Sequence, residues 1–160
     1  MSAIWSHKEF VELSLDELYG VLALRQEVFI VEQRCPYADA DGLDRAASHL
    51  FARDDDGDAA ATTRVVACAR LFAPGVHQPA AVIGRVVTAP SVRKSGMGKE
   101  LMARAIDAIE RRHGATPIQL GAQQYLERFY AAFGFARAGA DYFEDGIRHL
   151  PMRRPPTARR

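Results

Sequence analysis

Runs of apolar residues change period several times along the chain, and each run predicts an element. Ile4 to Phe10 reads as a short strand. Ser14 then opens a helix. Glu17 stands three residues on, the reciprocal arrangement in which side chains satisfy the free amides at a helix start. Leu15, Leu18, Leu22 and Val28 follow at helical spacing, which predicts that this face packs inward. Residues 31–48 lose the pattern around Pro36, Gly42 and several acids. His49–Arg53 reads as a strand and Asp54–Asp58, with Gly57, as a turn. Arg64–Phe72 and Ala81–Thr88 read as two strands of a hairpin with a long loop at Pro74–Gly75.

The second half is more regular. Val86-Val87-Thr88 leads into VRKSGMGKE and then a helix to about His113. Leu101, Ala105 and Ile109 recur at i, i+4, i+8, and Met102 and Ile106 widen the stripe. Glu100–Arg104 and Asp107–Arg111 are i, i+4 pairs in the favourable order, and Gly114 supplies the stop. Ile118–Ala122 reads as a short apolar strand and Leu126–Phe133 as a short helix ended by Gly134. Brief extended pieces follow near Phe135–Ala138 and His149–Met152. The order strand–helix–strands–helix–strand–helix–strands predicts an α/β (α+β) protein with a mixed sheet.

Composition narrows the class. With 160 residues, 48% hydrophobic and 26% charged, the chain has the make-up of one soluble globular domain. We place that domain at residues 1–153 and expect a basic, disordered tail over 154–160. A net charge of +1 excludes a uniformly basic nucleic-acid binder. Residues 1–90 carry 8 Lys/Arg and 13 Asp/Glu, so the remainder is positive. This split predicts two oppositely charged binding surfaces, or else chance plus the terminal arginines Arg153, Arg154, Arg159 and Arg160. Only two cysteines, Cys35 and Cys68, and no apolar core in the first ten residues predict the cytoplasm. No run approaches the roughly 18 apolar residues of a membrane span.

The chemistry concentrates at the strand–VRKSGMG–helix junction. Gly96 and Gly98 let the backbone approach a ligand closely, and the helix behind presents free amides and a positive dipole end. Arg93, Lys94 and Lys99 add full charges, which suits phosphates. A nucleotide-triphosphate loop needs glycine where Arg93 stands, and a dinucleotide loop needs glycine where Leu101 stands, so both are excluded. The bland alternative is a glycine-bearing turn with solvated charges. Metal chemistry is not expected. Asp39, Asp41 and Asp44 fall outside calcium-loop spacing and read as a solvated loop, and the five histidines show no metal-ligand spacing. No Gly-x-Ser-x-Gly nucleophile turn is present.

These residues resemble a known family. Arg93-Lys-Ser-Gly96-Met-Gly98 is similar to the R/Q-x-x-G-x-G/A motif of the GNAT acyltransferases. Gln123…Phe129-Tyr130…Phe133-Gly134-Phe135 resembles their second motif, with Gln123 in place of the usual Asn and Leu126 in place of Ala. Within that superfamily, RQEVFIVEQRCPYADADGLD, VIGRVV, LGAQ and YFEDGIRHLPM resemble the ElaA-type branch, in order from Trp5 to Met152. The resemblance implies a mixed, centrally splayed sheet flanked by helices, and transfer of an acetyl group from acetyl-CoA to a primary amine. It places cofactor contacts on Val86, Val87 and Thr88, on Arg93, Lys94, Ser95, Gly96, Met97, Gly98 and Lys99, and on Gln123 and Phe129. It makes Tyr130 the acid that protonates the leaving thiolate.

An amine of pKa ~10.4 must lose a proton before it attacks, at about 4.6 kcal/mol at pH 7, so a general base, a water chain or an acceptor of lower pKa is required. Glu32, in an apolar run near the implied acceptor site, is the first candidate. His149 is the second and His49 the third. The acidic residues Glu32, Asp39, Asp41 and Asp44 are expected to draw a cationic amine. The resemblance also makes a homodimer an option. Two rival readings stand beside it: a non-catalytic acyl-CoA-binding module on the same fold, and weak nucleic-acid binding through the arginine-rich tail.

Overall fold

The computed structural model describes residues 2–54 and 64–157. The turn expected at Asp54–Asp58 lies, past Asp54, outside these residues. In chain order the described elements are β1 (Ala3–Glu9), α1 (Leu15–Arg25), β2 (Ser48–Asp54), β3 (Val65–Phe72), β4 (Ala81–Thr88), α2 (Met97–His113), β5 (Ile118–Gln123), α3 (Glu127–Ala131), β6 (Ala136–Arg137), β7 (Tyr142–Glu144) and β8 (Ile147–Arg154). The strands form one mixed sheet in the order β1-β2-β3-β4-β5-β8-β6, with β7 pairing β8. All neighbours are antiparallel except β4 and β5, which the α2 crossover makes parallel.

The cap at Ser14 forms as its sequence dictates. Its Oγ accepts from the Glu17 amide at 3.1 Å, and Glu17 accepts from the Ser14 amide at 2.9 Å. Glu17 also pairs with Lys8 of β1 at 2.8 Å. That pairing turns the first turn of α1, and the buried stripe becomes Val21, Leu24 and Val28 with Arg25. Leu15, expected inside, is 86% exposed, because the nine residues to Leu24 are about two and a half helical turns. The helix then widens into a π-helical run, Gln26–Glu32, of a kind found often at functional sites.

On the other side, α2 buries Met97, Leu101, Met102, Ala105, Ile106 and Ile109 against the sheet. The Glu100–Arg104 and Asp107–Arg111 pairs form at its surface. Central strand β3 is buried along its whole length, as a strand covered on both faces must be.

Two irregularities shape the site. Parallel pairing of β4 with β5 is confined to Ala81–Ile118 and Val82–Gln119, and beyond that point the strands part. Strand β4 also carries an extra residue. Cys68 faces Val87 and Arg70 faces Gly84, so two steps of β3 oppose three of β4. Arg85 absorbs the extra residue with a left-handed φ of 51°, which costs a non-glycine residue about 1–2 kcal/mol.

The tail boundary moves. Strand β8 runs through Arg154, which donates to Glu110 at 2.7 Å and to the Phe133 carbonyl at 2.9 Å. Thr157 also reaches Glu110, at 2.8 Å. The basic segment expected from residue 154 thus begins inside the sheet, held by an acid of α2. Among the described residues no helix is long and apolar enough to cross a membrane. Both cysteines are unpaired and buried, and burial pushes the Cys68 thiol up to about 12, which suits packing rather than chemistry.

Candidate active site

A cavity of about 650 Å³ occupies the opening between β4 and β5. Val86, Val87 and Thr88 line one side, and Leu120, Gly121 and Gln123 the other. Beyond Val82 the β5-facing peptide groups of β4 have no strand opposite them, so they are available to an extended ligand. Arg93, Gly98, Phe129 and Tyr130 line it as well, as do Tyr37, Tyr142, Glu144 and His149.

The glycine loop fits an anion. Gly96 is the N-cap of α2 with φ 92°, and no side chain caps the helix. Lys94 is also left-handed, at φ 64°. Ser95 Oγ donates back to the Val92 carbonyl and so braces the loop. A Cβ at Gly98 would meet the Phe129 ring at 3.8 Å and Thr88 at 4.0 Å. Only Arg93 and Gly98 of this loop reach the cavity wall. Lys94, Ser95, Gly96 and Lys99 sit on the exposed rim, and Met97 turns its side chain into the core, leaving its backbone as its contribution.

Segment 32–35 straps the cavity. Glu32 grips Arg93 through two bonds of 2.6 and 2.9 Å. Gln33 accepts from the Gln123 side-chain amide at 3.3 Å, and Cys35 Sγ donates to the Asp145 carbonyl at 2.8 Å. The expectation that Glu32 sits in apolar surroundings is corrected here. Its side chain is 42% exposed at the end of the π-helical run, and the Arg93 guanidinium holds its carboxyl below the usual range, which weakens it as a base.

His149 is better placed. Its Nδ1 lies 2.8 Å from the Ile147 carbonyl, which can only accept, so Nδ1 carries the proton and Nε2 of the neutral ring keeps a lone pair. Nε2 lies 4.0 Å from Glu144 Oε2, and the Tyr142 ring stacks on the imidazole. His49 lies off the cavity. It is buried, Nε2 bonds the Asp44 carbonyl at 2.9 Å, and desolvation lowers its pKa, all of which make it structural. Tyr130 is 5% exposed, edge-on to Phe129 and Phe135. Burial, with a smaller contribution from Tyr125, pushes its phenol up to about 12, so it stays protonated and able to donate.

The acidic loop also differs from expectation. Asp39, Asp41 and Asp44 are not solvated bait for a cation; they bind three arginines. Arg25, 1% exposed, lies 2.8 Å from Asp39 and 2.7 Å from Asp44. Arg70 lies 2.8 Å from Asp41 and 3.0 Å from Asp44, and Arg85 lies 2.8 Å from Asp39. The charges cancel within the cluster, which removes the attraction expected from composition.

Burial raises the Asp41 carboxyl, but the Arg70 bonds, the Leu43 amide and the neighbouring positive charges outweigh it and bring it to about 2. Asp44 is lowered in the same way, with Arg25 outweighing burial. Both folded-state values lie below the ordinary ~3.9, so the stability these carboxylates add is present above that value and lost as pH falls through the folded values. Urea denaturation of the wild type should therefore show stability level near neutrality and falling from about pH 4 to 2. Asp44→Ala should cost about 3 kcal/mol at pH 7, because it takes one of two acid partners from each of two buried guanidiniums, and should flatten the acid fall. Wild-type stability in that variant would show that the cluster adds nothing.

Gly121 and Tyr142 are among the wall residues that sequence reading did not single out. A lone glycine inside β5 was the available signal, since such a glycine often marks a close approach.

The family model of the acetyltransferase (GNAT) domain matches residues 25–155. A UPF0039 protein of Synechocystis is 41% identical, over 98% of this chain and 99% of its own. The crystal structure of an acyl-CoA N-acyltransferase from Pseudomonas aeruginosa matches with a TM-score of 0.88 and 42% identity, covering 96% of this chain and 99% of that one. That of Escherichia coli ElaA matches at 0.85 and 35%, with 96% and 99% covered.

Proposed function

Since the chain belongs to the GNAT acetyltransferase family, we propose that it moves an acetyl group from acetyl-CoA to a primary amine by direct attack within a ternary complex. One observation carries this reading: the sheet opens between β4 and β5 onto a cavity whose lining includes Gly98, in the first turn of an uncapped helix, and His149, whose Nδ1 is engaged by the Ile147 carbonyl.

The substrate acetyl-CoA supplies an acyl group already activated as a thioester. The loop Arg93–Lys99, with its free amides and the charges of Arg93, Lys94 and Lys99, receives the diphosphate. The free edge of β4 at Val86, Val87 and Thr88 pairs with the extended arm and offers an amide to the thioester carbonyl. Gln123 and Phe129 line the arm's path. His149 Nε2 accepts the proton of the attacking amine, and Tyr130 supplies one to the departing sulfur. Glu32 holds Arg93 at the mouth and is assigned no proton transfer.

The test is thiol release from acetyl-CoA against a panel of primary amines. His149→Gln should lower kcat about 100-fold, within the range for a lost general base, and Glu32→Gln should stay within a few-fold of wild type. The opposite pattern would exchange the two roles. Acetyl-CoA binding with no thiol release against any amine would favour the non-catalytic module.

A further inference from the structure

Gly121 lies mid-strand in β5 on the cavity wall, and its φ is outside the left-handed region, so its backbone does not require glycine. Glycine inside a strand weakens it, and its presence needs a cause. The cause lies across the sheet. A Cβ built on Gly121 would fall 2.2 Å from Tyr142 Oη, while the next atom of that side chain, Cζ, would be 3.6 Å away. The place of the missing side chain is thus taken by one hydroxyl. The Tyr142 ring also lies against the His149 imidazole, with centroids 5.6 Å apart and planes 23° from parallel. Both rings line the cavity where β4 and β5 have separated. Burial, with the Glu144 charge adding to it, raises the Tyr142 phenol above its ordinary value, so it stays neutral, with one proton to give and lone pairs to accept.

We propose that Tyr142 is a further active-site residue, whose hydroxyl, seated in the notch at Gly121, accepts a hydrogen bond from the attacking amine and holds it against His149. The inference rests on the acyl-transfer reading and names the residue that orients the acceptor. In the transfer the N–C bond forms and the C–S bond breaks. The amine proton passes to His149 Nε2, and the thiolate takes its proton from Tyr130. Tyr142 ends with the proton it began with; its part is to orient the nitrogen and, through its ring, to fix the plane of the imidazole. A misplaced nucleophile is slow even when its base is intact, so the loss should appear on the acceptor side of the kinetics.

The geometry supplies its own control, because only the hydroxyl collides with a Cβ at position 121. Four proteins are compared: wild type, Tyr142→Phe, Gly121→Ala and the double variant. Each is measured for melting temperature, for acetyl-CoA Kd by calorimetry, and for kcat/KM with an amine that the wild type acetylates. Tyr142→Phe should keep the melting temperature and Kd and lose about tenfold or more in kcat/KM for the amine, as expected of a lost hydrogen bond in the transition state. Gly121→Ala should lower both melting temperature and kcat/KM. The double variant should recover the melting temperature and not the kcat/KM. If Tyr142→Phe stays within about twofold of wild type, or the double variant recovers activity together with stability, the hydroxyl is packing; the inference then falls while acyl transfer stands. A loss that follows acetyl-CoA Kd instead of the amine would overturn it as well. A wild type that acetylates no amine removes the acyl-transfer reading, and this inference with it.

Discussion

Gly98→Glu is expected to weaken acetyl-CoA binding more than a hundredfold while the protein stays folded. The first added atom is tolerated, since a Cβ there meets the Phe129 ring at 3.8 Å and Thr88 at 4.0 Å, both ordinary contacts. Gly98→Ala should therefore fold normally and bind somewhat less well. The remaining atoms of glutamate project from the first turn of α2, where a diphosphate would meet the helix. A carboxylate about 5 Å from a phosphate charge, at an effective dielectric constant of about 20, repels it by about 3 kcal/mol, before any steric exclusion is added. That energy alone is about a hundredfold in Kd. Gly96→Glu should be as damaging to binding and harder on the fold, because φ 92° is left-handed and glutamate adopts it only under strain. Calorimetry with acetyl-CoA, with circular dichroism to check folding, measures both. Unchanged affinity in a folded Gly98→Glu protein would remove the phosphate-binding role of the loop.

Tyr130→Phe is expected to lower kcat about 100-fold and leave the Kd for acetyl-CoA unchanged. The phenol is buried with its ring edge-on to Phe129 and Phe135, so the substitution keeps the packing and deletes only the hydroxyl. Burial that pushes the phenol up to about 12 also makes it a weaker acid. Against a thiol of ~8.5, complete transfer to a free thiolate would be uphill by about 5 kcal/mol. The proton must then move in concert with C–S cleavage, so that collapse of the tetrahedral intermediate drives the transfer in place of a separate uphill step to a free thiolate. A group protonated at every accessible pH also leaves no inflection in the kcat profile below about pH 11, so any alkaline fall at lower pH belongs to another residue. Wild-type kcat in Tyr130→Phe would return this tyrosine to the core.

The parts of the fold legible in sequence are those whose causes are local. Ser14 and Glu17 cap α1 because they stand three residues apart, and Leu101, Ala105 and Ile109 face inward because α2 repeats every 3.6 residues. The glycine loop is legible in its own glycines and charges, and Tyr130, Gln123 and Phe129 through resemblance; the structure brings Arg93, Gly98 and these three to one cavity together with Glu32 and His149. What escaped depends on partners distant in sequence. Leu15 turns outward because Glu17 answers Lys8 of β1. The left-handed turn at Arg85 is held by Asp39, 46 residues before it. Glu32 is drawn out of any apolar setting by Arg93, and Tyr142 takes its meaning from a glycine on another strand. None of these pairs leaves a periodic trace in the chain.

The ionic cluster of Arg25, Arg70 and Arg85 with Asp39, Asp41 and Asp44 sets a rule for anyone who would reshape the cavity. Tyr37, Arg70 and Arg85 form part of that wall, so a broader specificity invites changes at the two arginines. Taken singly, each such change removes a positive charge that two aspartates share; taken as a block of six, traded for apolar side chains of matching volume, the same region is expected to fold at least as firmly. Directed evolution that samples one codon at a time will find this wall nearly closed, and a combinatorial library spanning all six codons is the route through it.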